Sequence, residues 1–303
     1  MSTKPATKTA PPPRPWVTFY LTCYNLLQFV GWLRIFIGIV LFMVHGSNAR
    51  KMAYESVVDF VHQYTPDVIA SPAVSFANHH PVLATVLGRM SEMHEYIGPL
   101  VVIFQTLAIL EVVHAVVGFV KSSPLTTFVQ VASRLIVLWF VTEKYEAAAK
   151  SPFYAVMVFA WSLSEVTRYP FYVNQLLDSP SFMALWARYS FFIVLYPMGV
   201  LGEMQSIWAS LPHDLAWPWV DATGWSVRDL VFLALLPVYI PGLFYLYTYL
   251  LASRRKVLGN DLAGSKGYAA VQAKRDAYLA RFRKLHDKKE QAKEDAEINQ
   301  SWQ

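Results

Sequence analysis

The sequence predicts an all-α protein, a polytopic membrane bundle of about six transmembrane helices with both termini in the cytosol. Of its 303 residues, 55% are hydrophobic and only 16% are charged, whereas soluble domains are usually about 25% charged. Apolar runs long enough to cross a bilayer recur along the chain. Basic residues flank the first and the last of these runs, which is the pattern of cytosolic ends.

Six runs meet the requirement of about 20 mainly apolar residues for a membrane-spanning helix. They are 17–45, 96–120, 125–141, 152–177, 182–208 and 227–251. The first run follows a polar, Pro-rich segment, 1–16, that we expect to be disordered, and it is too long for the core of a cleaved signal peptide. The third run is the shortest and contains Arg134. The second, fourth and fifth runs also contain charges.

The connections between the runs differ in composition. The long connection 46–95 contains two amphipathic segments, 54–64 and 81–94, which predict helices lying in the membrane interface. The connection 209–226 is rich in Trp and Pro, as expected at the level of the lipid head groups. The tail 253–303 carries a net positive charge and a helical spacing of apolar residues. It predicts a cytosolic helix beside anionic lipid rather than a partner for nucleic acid.

Tyr196 and Glu203 lie within the fifth apolar run. A carboxylate in a membrane span costs several kcal/mol unless it faces protein or water, so it is a functional-site hypothesis by default. Seven residues of helix return to nearly the same face, roughly 10 Å further along the axis. Pro197 lies between the two residues, and because it removes one helical hydrogen bond we expect irregular local geometry. A structural Glu paired with a neighbouring helix is the alternative.

Other predicted spans also carry polar side chains. Glu165, Arg168 and Tyr169 lie in the fourth run, and Arg188 lies at the start of the fifth. We expect these groups to line a polar cavity whose cytosolic mouth holds Arg168 and Arg188, a charge suited to a phosphate-bearing head group. Isolated ion pairs, Glu165 with Arg168 or Glu111 with Arg134, remain the alternative.

Several reaction classes lack the residues that they need. The single cysteine, Cys23, has Phe29 rather than Arg six residues later, so no phosphatase loop forms. The sequence contains no phosphate-binding loop, no dinucleotide fingerprint and no histidine spacing typical of zinc proteases. We therefore expect neither a metal nor a cofactor.

Three motifs follow one another along the chain: LEVVHAVVGFVKSSPLTTFVQVASR (110–134), WSLSEVTRYPFY (161–172) and RYSFFIVLYPMGVLGE (188–203). Together they resemble the very-long-chain (3R)-3-hydroxyacyl-CoA dehydratases, once called protein-tyrosine-phosphatase-like proteins. The resemblance covers about 17–252. It implies a multi-pass protein of the endoplasmic reticulum membrane that converts (3R)-3-hydroxyacyl-CoA to trans-2-enoyl-CoA, the third step of very-long-chain fatty acid elongation.

The resemblance also implies residue roles. The family's catalytic Tyr and Glu fall on Tyr196 and Glu203. Its supporting residues fall on the arginines, the acid and the phenol of the polar runs, namely Arg188, Arg168, Glu165, Tyr169 and Arg134. As partners the family implies a long-chain 3-hydroxyacyl-CoA, membrane lipid, and the condensing enzyme and reductases of the elongation cycle.

Dehydration needs a base for the Cα proton and an acid for the leaving hydroxyl. Glu203 as base and Tyr196 as acid is the assignment that we favour, and the reverse assignment stays open. Gly199 lets backbone or substrate approach closely.

A proton-coupled carrier and a non-catalytic lipid-binding protein of the same fold are the rival functions. Carriers commonly contain internal repeats, which this sequence lacks, and a lipid-binding protein needs no paired acid and phenol.

Overall fold

A computed structural model describes residues 15–46 and 80–301, and all regular structure in these two ranges is helical. The helices are α1 (Pro15–His45), α2 (Pro81–Ser91), α3 (Met93–Leu107), α4 (Ile109–Val116), α5 (Pro124–Val137), α6 (Glu146–Ala149), α7 (Pro152–Leu176), α8 (Phe182–Ser190), α9 (Phe192–Ala209), α10 (Val227–Leu258) and α11 (Ser265–Ser301), with a π-helical turn, Leu138–Thr142, after α5. The all-α prediction is confirmed. Nearly all of the segment 1–16 and the predicted interfacial helix 54–64 lie outside the described residues.

Within residues 15–46 and 80–301, four helical segments are long and apolar enough to cross a membrane. They are Pro15–His45, Val82–Val116, Pro124–Thr142 and Val227–Leu258. A fifth span is formed if α8 and α9, which are bent by 43° relative to each other, are taken together. The chain is therefore a membrane protein, with four to five apolar span candidates among the residues that the structure describes.

The second span begins earlier than the sequence predicted. Helix starts at Pro81, and α2, α3 and α4 follow one another with breaks of a single residue, so that the apolar span runs from Val82 to Val116. The segment 81–94, which we expected to form a separate helix, is thus the N-terminal part of this run. At 1.5 Å per residue its 35 residues exceed the roughly 30 Å of a bilayer core.

Helix α7 is the centre of the bundle. It packs against α1 and α9, and also against α2, α3 and α8. Its residues Tyr154, Met157 and Tyr169 are fully buried. Helix α7 is long enough to span a bilayer but less apolar than the spans named above. Since its polar residues face neighbouring helices, it does not need an apolar surface all round.

Serine residues cap the starts of two long helices, α7 and α10. Ser151 accepts a hydrogen bond from the Phe153 amide at 3.2 Å, and Pro152 follows at the first helical position. Ser226 and Asp229 form a reciprocal capping box at the start of α10. These caps satisfy amides that have no partner within the helix.

The bend in the fifth span is not located at Pro197. The break lies at Phe191, and α9 continues through Pro197 without interruption. Proline at this position leaves the Ile193 carbonyl without its usual helical donor. The hydroxyl of Tyr247, on α10, donates to that carbonyl at 3.2 Å. A contact from a neighbouring helix thus replaces the hydrogen bond that Pro197 removes.

Candidate active site

Glu203 lies on α9, between α7 and α10. The side chain is half-buried, with its carboxyl group turned into the protein. The indole Nε1–H of Trp161, on α7, donates to Oε1 at 3.0 Å. The hydroxyl of Tyr239, on α10, donates to Oε2 at 3.2 Å. Each carboxyl oxygen therefore accepts one hydrogen bond, one from α7 and the other from α10.

The residue before Glu203 fixes the distance between α9 and α7. A Cβ atom on Gly202 would lie 2.7 Å from both the backbone nitrogen and the Cβ of Met157. Only glycine permits helix backbones to approach this closely. A Cβ on Gly199 would meet Ala160 at 3.7 Å, an ordinary contact. The close helix crossing is therefore made at Gly202, and the expected approach of substrate at Gly199 stays a prediction.

Tyr196 lies two turns before Glu203 on the same helix. It is half-buried, and its hydroxyl has no hydrogen-bond partner in the part of the chain that the structure describes. Tyr196 is close enough to Glu203 and Tyr239 to interact electrostatically with both. A phenol with a free hydroxyl on the same face as a fixed carboxylate is arranged to act on a molecule placed between them.

A second polar cluster lies on α7 one turn from Trp161. The Glu165 side chain is only 3% exposed and accepts hydrogen bonds from Arg134 and from Arg168 Nε, the latter at 2.6 Å. The two terminal nitrogens of Arg168 donate to the Glu111 carboxylate at 2.6 and 2.8 Å. Tyr169 donates to Glu111 at 2.6 Å. Two carboxylates and two guanidinium groups thus balance in charge, as burial requires.

The cluster differs from the ion pairs considered from sequence. Glu165 pairs with Arg168, as considered from the sequence. Glu111 also pairs with Arg168 and not with Arg134. Arg134 pairs instead with Glu165. Arg168, expected at the cationic mouth, has all three guanidinium nitrogens engaged. Its contacts join α4 to α7, and the Arg134–Glu165 pair adds α5 to the cluster.

Arg188 has a different environment from Arg168. It occupies the last turn of α8 and is half-buried. Its guanidinium has no ion pair or hydrogen bond with any residue in 15–46 or 80–301. Of the two arginines predicted at the mouth, Arg188 is thus the one with its charge available to a ligand.

Arg134 connects the ion cluster to the Glu203 site. Its guanidinium carbon lies 5.3 Å from the centre of the Trp161 ring, a cation–π distance, while it pairs with Glu165. Arg134 and Trp161 thereby link Glu165 to Glu203 through direct contacts. Among the described residues, no group of three or more His, Cys, Asp or Glu side chains is arranged to hold a metal ion.

Sequence reasoning did not select Trp161, Tyr239 or Gly202 for the site. The signal for Trp161 was its place one helical turn before Glu165. Tyr239 is one of four tyrosines within an apolar helix, and nothing in the local sequence separates it from the three that follow. Its role becomes visible only when α9 and α10 are placed side by side.

Comparison with known proteins gives one consistent family. The family described as "Protein tyrosine phosphatase-like protein, PTPLA" matches residues 105–260, which include every site residue described above. The very-long-chain (3R)-3-hydroxyacyl-CoA dehydratase 1 of sheep (Ovis aries) is 32% identical over 261 residues, 82% of this chain and 74% of the relative. No solved structure matches the chain significantly.

Two further relatives carry related names. The very-long-chain (3R)-3-hydroxyacyl-CoA dehydratase hpo-8 of Caenorhabditis elegans is 35% identical over 258 residues, 82% of this chain and 98% of the relative. A probable dehydratase of the same name from Schizosaccharomyces pombe is 43% identical over 155 residues, 50% of this chain and 71% of the relative.

Proposed function

This chain belongs to the PTPLA family, and from that premise we propose that it dehydrates long-chain (3R)-3-hydroxyacyl-CoA to trans-2-enoyl-CoA inside the membrane. The chain is accordingly a hydro-lyase of fatty acid elongation. One observation carries the assignment of its active site: a carboxylate held on both oxygens, Glu203, shares a face of α9 with the unpartnered phenol of Tyr196.

The proposed reaction uses Glu203 as base and Tyr196 as acid. Glu203 takes the proton from Cα of the substrate, and the electrons of that C–H bond form the Cα–Cβ double bond. The Cβ–O bond breaks, and the departing hydroxide takes the Tyr196 proton to leave as water. A proton then returns from Glu203 to the Tyr196 oxygen and restores both groups. General acid–base catalysis of this kind contributes about 10²–10⁴-fold each.

The choice of Glu203 as base is supported by its two hydrogen bonds taken together. The Trp161 N–H donates to Oε1 and the Tyr239 hydroxyl donates to Oε2, so both oxygens act as acceptors. Acceptance on both oxygens suits an ionised carboxylate that starts the cycle as a base. Tyr196 has no acceptor within the described residues that would compete for its proton, so that proton is available to the substrate.

Arg188 is the proposed contact for the CoA part of the substrate. Its guanidinium suits the phosphate oxygens of an acyl-CoA, and no acid neutralises it in the described part of the chain. The cluster of Glu111, Glu165 and Arg168 has no such free charge. We assign it, with Arg134 and Tyr169, to holding the helices around the site.

We further propose six spans, with α7 as the sixth, enclosed by the others. Both termini then face the cytosol, where the basic residues at 254–256 would also lie. The membrane domain would comprise residues 17–252, and the charged tail would comprise residues 253–303. Function in elongation favours the endoplasmic reticulum membrane and contact with the condensing enzyme and reductases.

The test is direct. Detergent-purified protein is incubated with (3R)-3-hydroxyacyl-CoA substrates of increasing chain length, and the enoyl-CoA product is followed for the wild type and Glu203→Ala. We expect product from the wild type only. A wild type that forms no product, or that moves substrate across reconstituted vesicles without dehydrating it, contradicts the proposal.

A further inference from the structure

Tyr239 is the one polar contact that α10 makes with the Glu203 carboxylate. Helix α10 is otherwise the most exposed of the apolar spans. Two of its four tyrosines point outward: Tyr245 is 71% exposed and Tyr249 is 62% exposed. Tyr239 instead lies half-buried and places its hydroxyl 3.2 Å from Glu203 Oε2.

Helix α10 makes a second hydrogen bond to α9, through Tyr247. Tyr247 is eight residues after Tyr239, close to two helical turns. Its hydroxyl donates to the Ile193 carbonyl, which has no helical donor because Pro197 lacks an N–H. Ile193 is three residues before Tyr196. The two inward tyrosines of α10 therefore contact α9 near Glu203 and near Tyr196, one at each end of the acid–base pair.

The geometry points to Tyr239 as a positioning residue that, together with Trp161, fixes the orientation of the Glu203 carboxylate toward the substrate Cα proton. This inference rests on the proposed function. With Oε1 bound by Trp161 and Oε2 bound by Tyr239, the carboxyl plane cannot rotate without losing a hydrogen bond. One lone pair on each oxygen stays free, and a base held in this way meets the C–H bond in a fixed direction.

The test compares Tyr239→Phe with Tyr245→Phe, which removes a hydroxyl from the same helix but on its exposed side. In Tyr239→Phe we expect kcat to fall by roughly ten- to a hundredfold, the effect of losing one hydrogen bond to a charged group. KM should stay within about twofold, because the hydroxyl does not contact the CoA group. Tyr245→Phe should behave as the wild type in both constants.

An isotope effect separates positioning from a structural role. With substrate deuterated at Cα, the primary isotope effect on kcat should be larger in Tyr239→Phe than in the wild type, since removal of that proton becomes slower. A partial loss of folded protein would lower kcat and leave the isotope effect unchanged. Replacement of Tyr239 by p-aminophenylalanine, which restores a donor at the same point, should return kcat and the isotope effect toward wild-type values.

The two proposals fail in different ways. A wild type without dehydratase activity overturns the proposed function. An active wild type in which Tyr239→Phe keeps the normal kcat and isotope effect overturns the positioning role alone. A lower kcat with an unchanged isotope effect, or without recovery on p-aminophenylalanine substitution, also overturns it.

Discussion

Glu111→Gln tests whether the buried ion cluster stabilises the bundle. Glu111 accepts three hydrogen bonds, two from Arg168 and one from Tyr169, and its side chain is 14% exposed. A glutamine amide has one oxygen to offer and directs its NH2 group at groups that are themselves donors. Removing one partner of a buried pair costs about 3–5 kcal/mol, and at roughly 2–4 °C per kcal/mol the apparent Tm should fall by roughly 6–20 °C.

The assay is thermal unfolding of detergent-purified protein, followed by tryptophan fluorescence. Arg168→Gln should lower Tm further than Glu111→Gln, because it removes the partner of two carboxylates. The matched control is Glu146→Gln, which breaks an exposed pair with Lys150 and should leave Tm unchanged. If Glu111→Gln unfolds within about 1 °C of the wild type, the cluster does not hold the helices together.

Three more variants have defined outcomes. Arg188→Ala should raise KM for acyl-CoA by about ten- to a hundredfold, because it removes one hydrogen bond to a charged group, while kcat stays nearly the same. An unchanged KM would mean that Arg188 has a structural role only. Gly202→Ala should destabilise the protein by about 1–3 kcal/mol through its clash with Met157, whereas Gly242→Ala, with open space around it, should not lower Tm. Tyr247→Phe should cost about 1 kcal/mol, since it leaves the partly buried Ile193 carbonyl without a donor. An unaltered Tm would contradict a stabilising role for this hydrogen bond.

The sequence was sufficient for the helices because their signals are local. Apolar length located α1, α5, α7 and α10 to within a few residues, except at the end of α10, where helix continues past 251 to Leu258. The start of the second span was missed by 14 residues. Its first part, 82–95, is amphipathic because one side packs on other helices, and amphipathicity alone does not separate a buried face from an interfacial one.

The contacts between helices depend on which faces meet, and no local pattern encodes that. Residue types and spacing placed Glu203 and Tyr196 on one face, yet Trp161 and Tyr239 became part of the site only through the α7–α9–α10 arrangement. The pairing of Glu111 with Arg134, considered as an alternative, is wrong for the same reason, because Glu111 pairs with Arg168. Pro197 marked the correct helix, but a hydroxyl from α10 compensates for its lost hydrogen bond, and the bend occurs at Phe191.

Whether Tyr196 and Glu203 act together in dehydration is tested by comparing Tyr196→Phe, Glu203→Gln and the double variant in one dehydratase assay. If the two residues act as one acid–base unit, either single variant should lower kcat by about 10²–10⁴-fold, and the double variant should be no slower than the slower single. All three should elute as folded protein with a Tm near that of the wild type. Near-normal turnover in either single variant, or losses that multiply in the double variant, would contradict the claim.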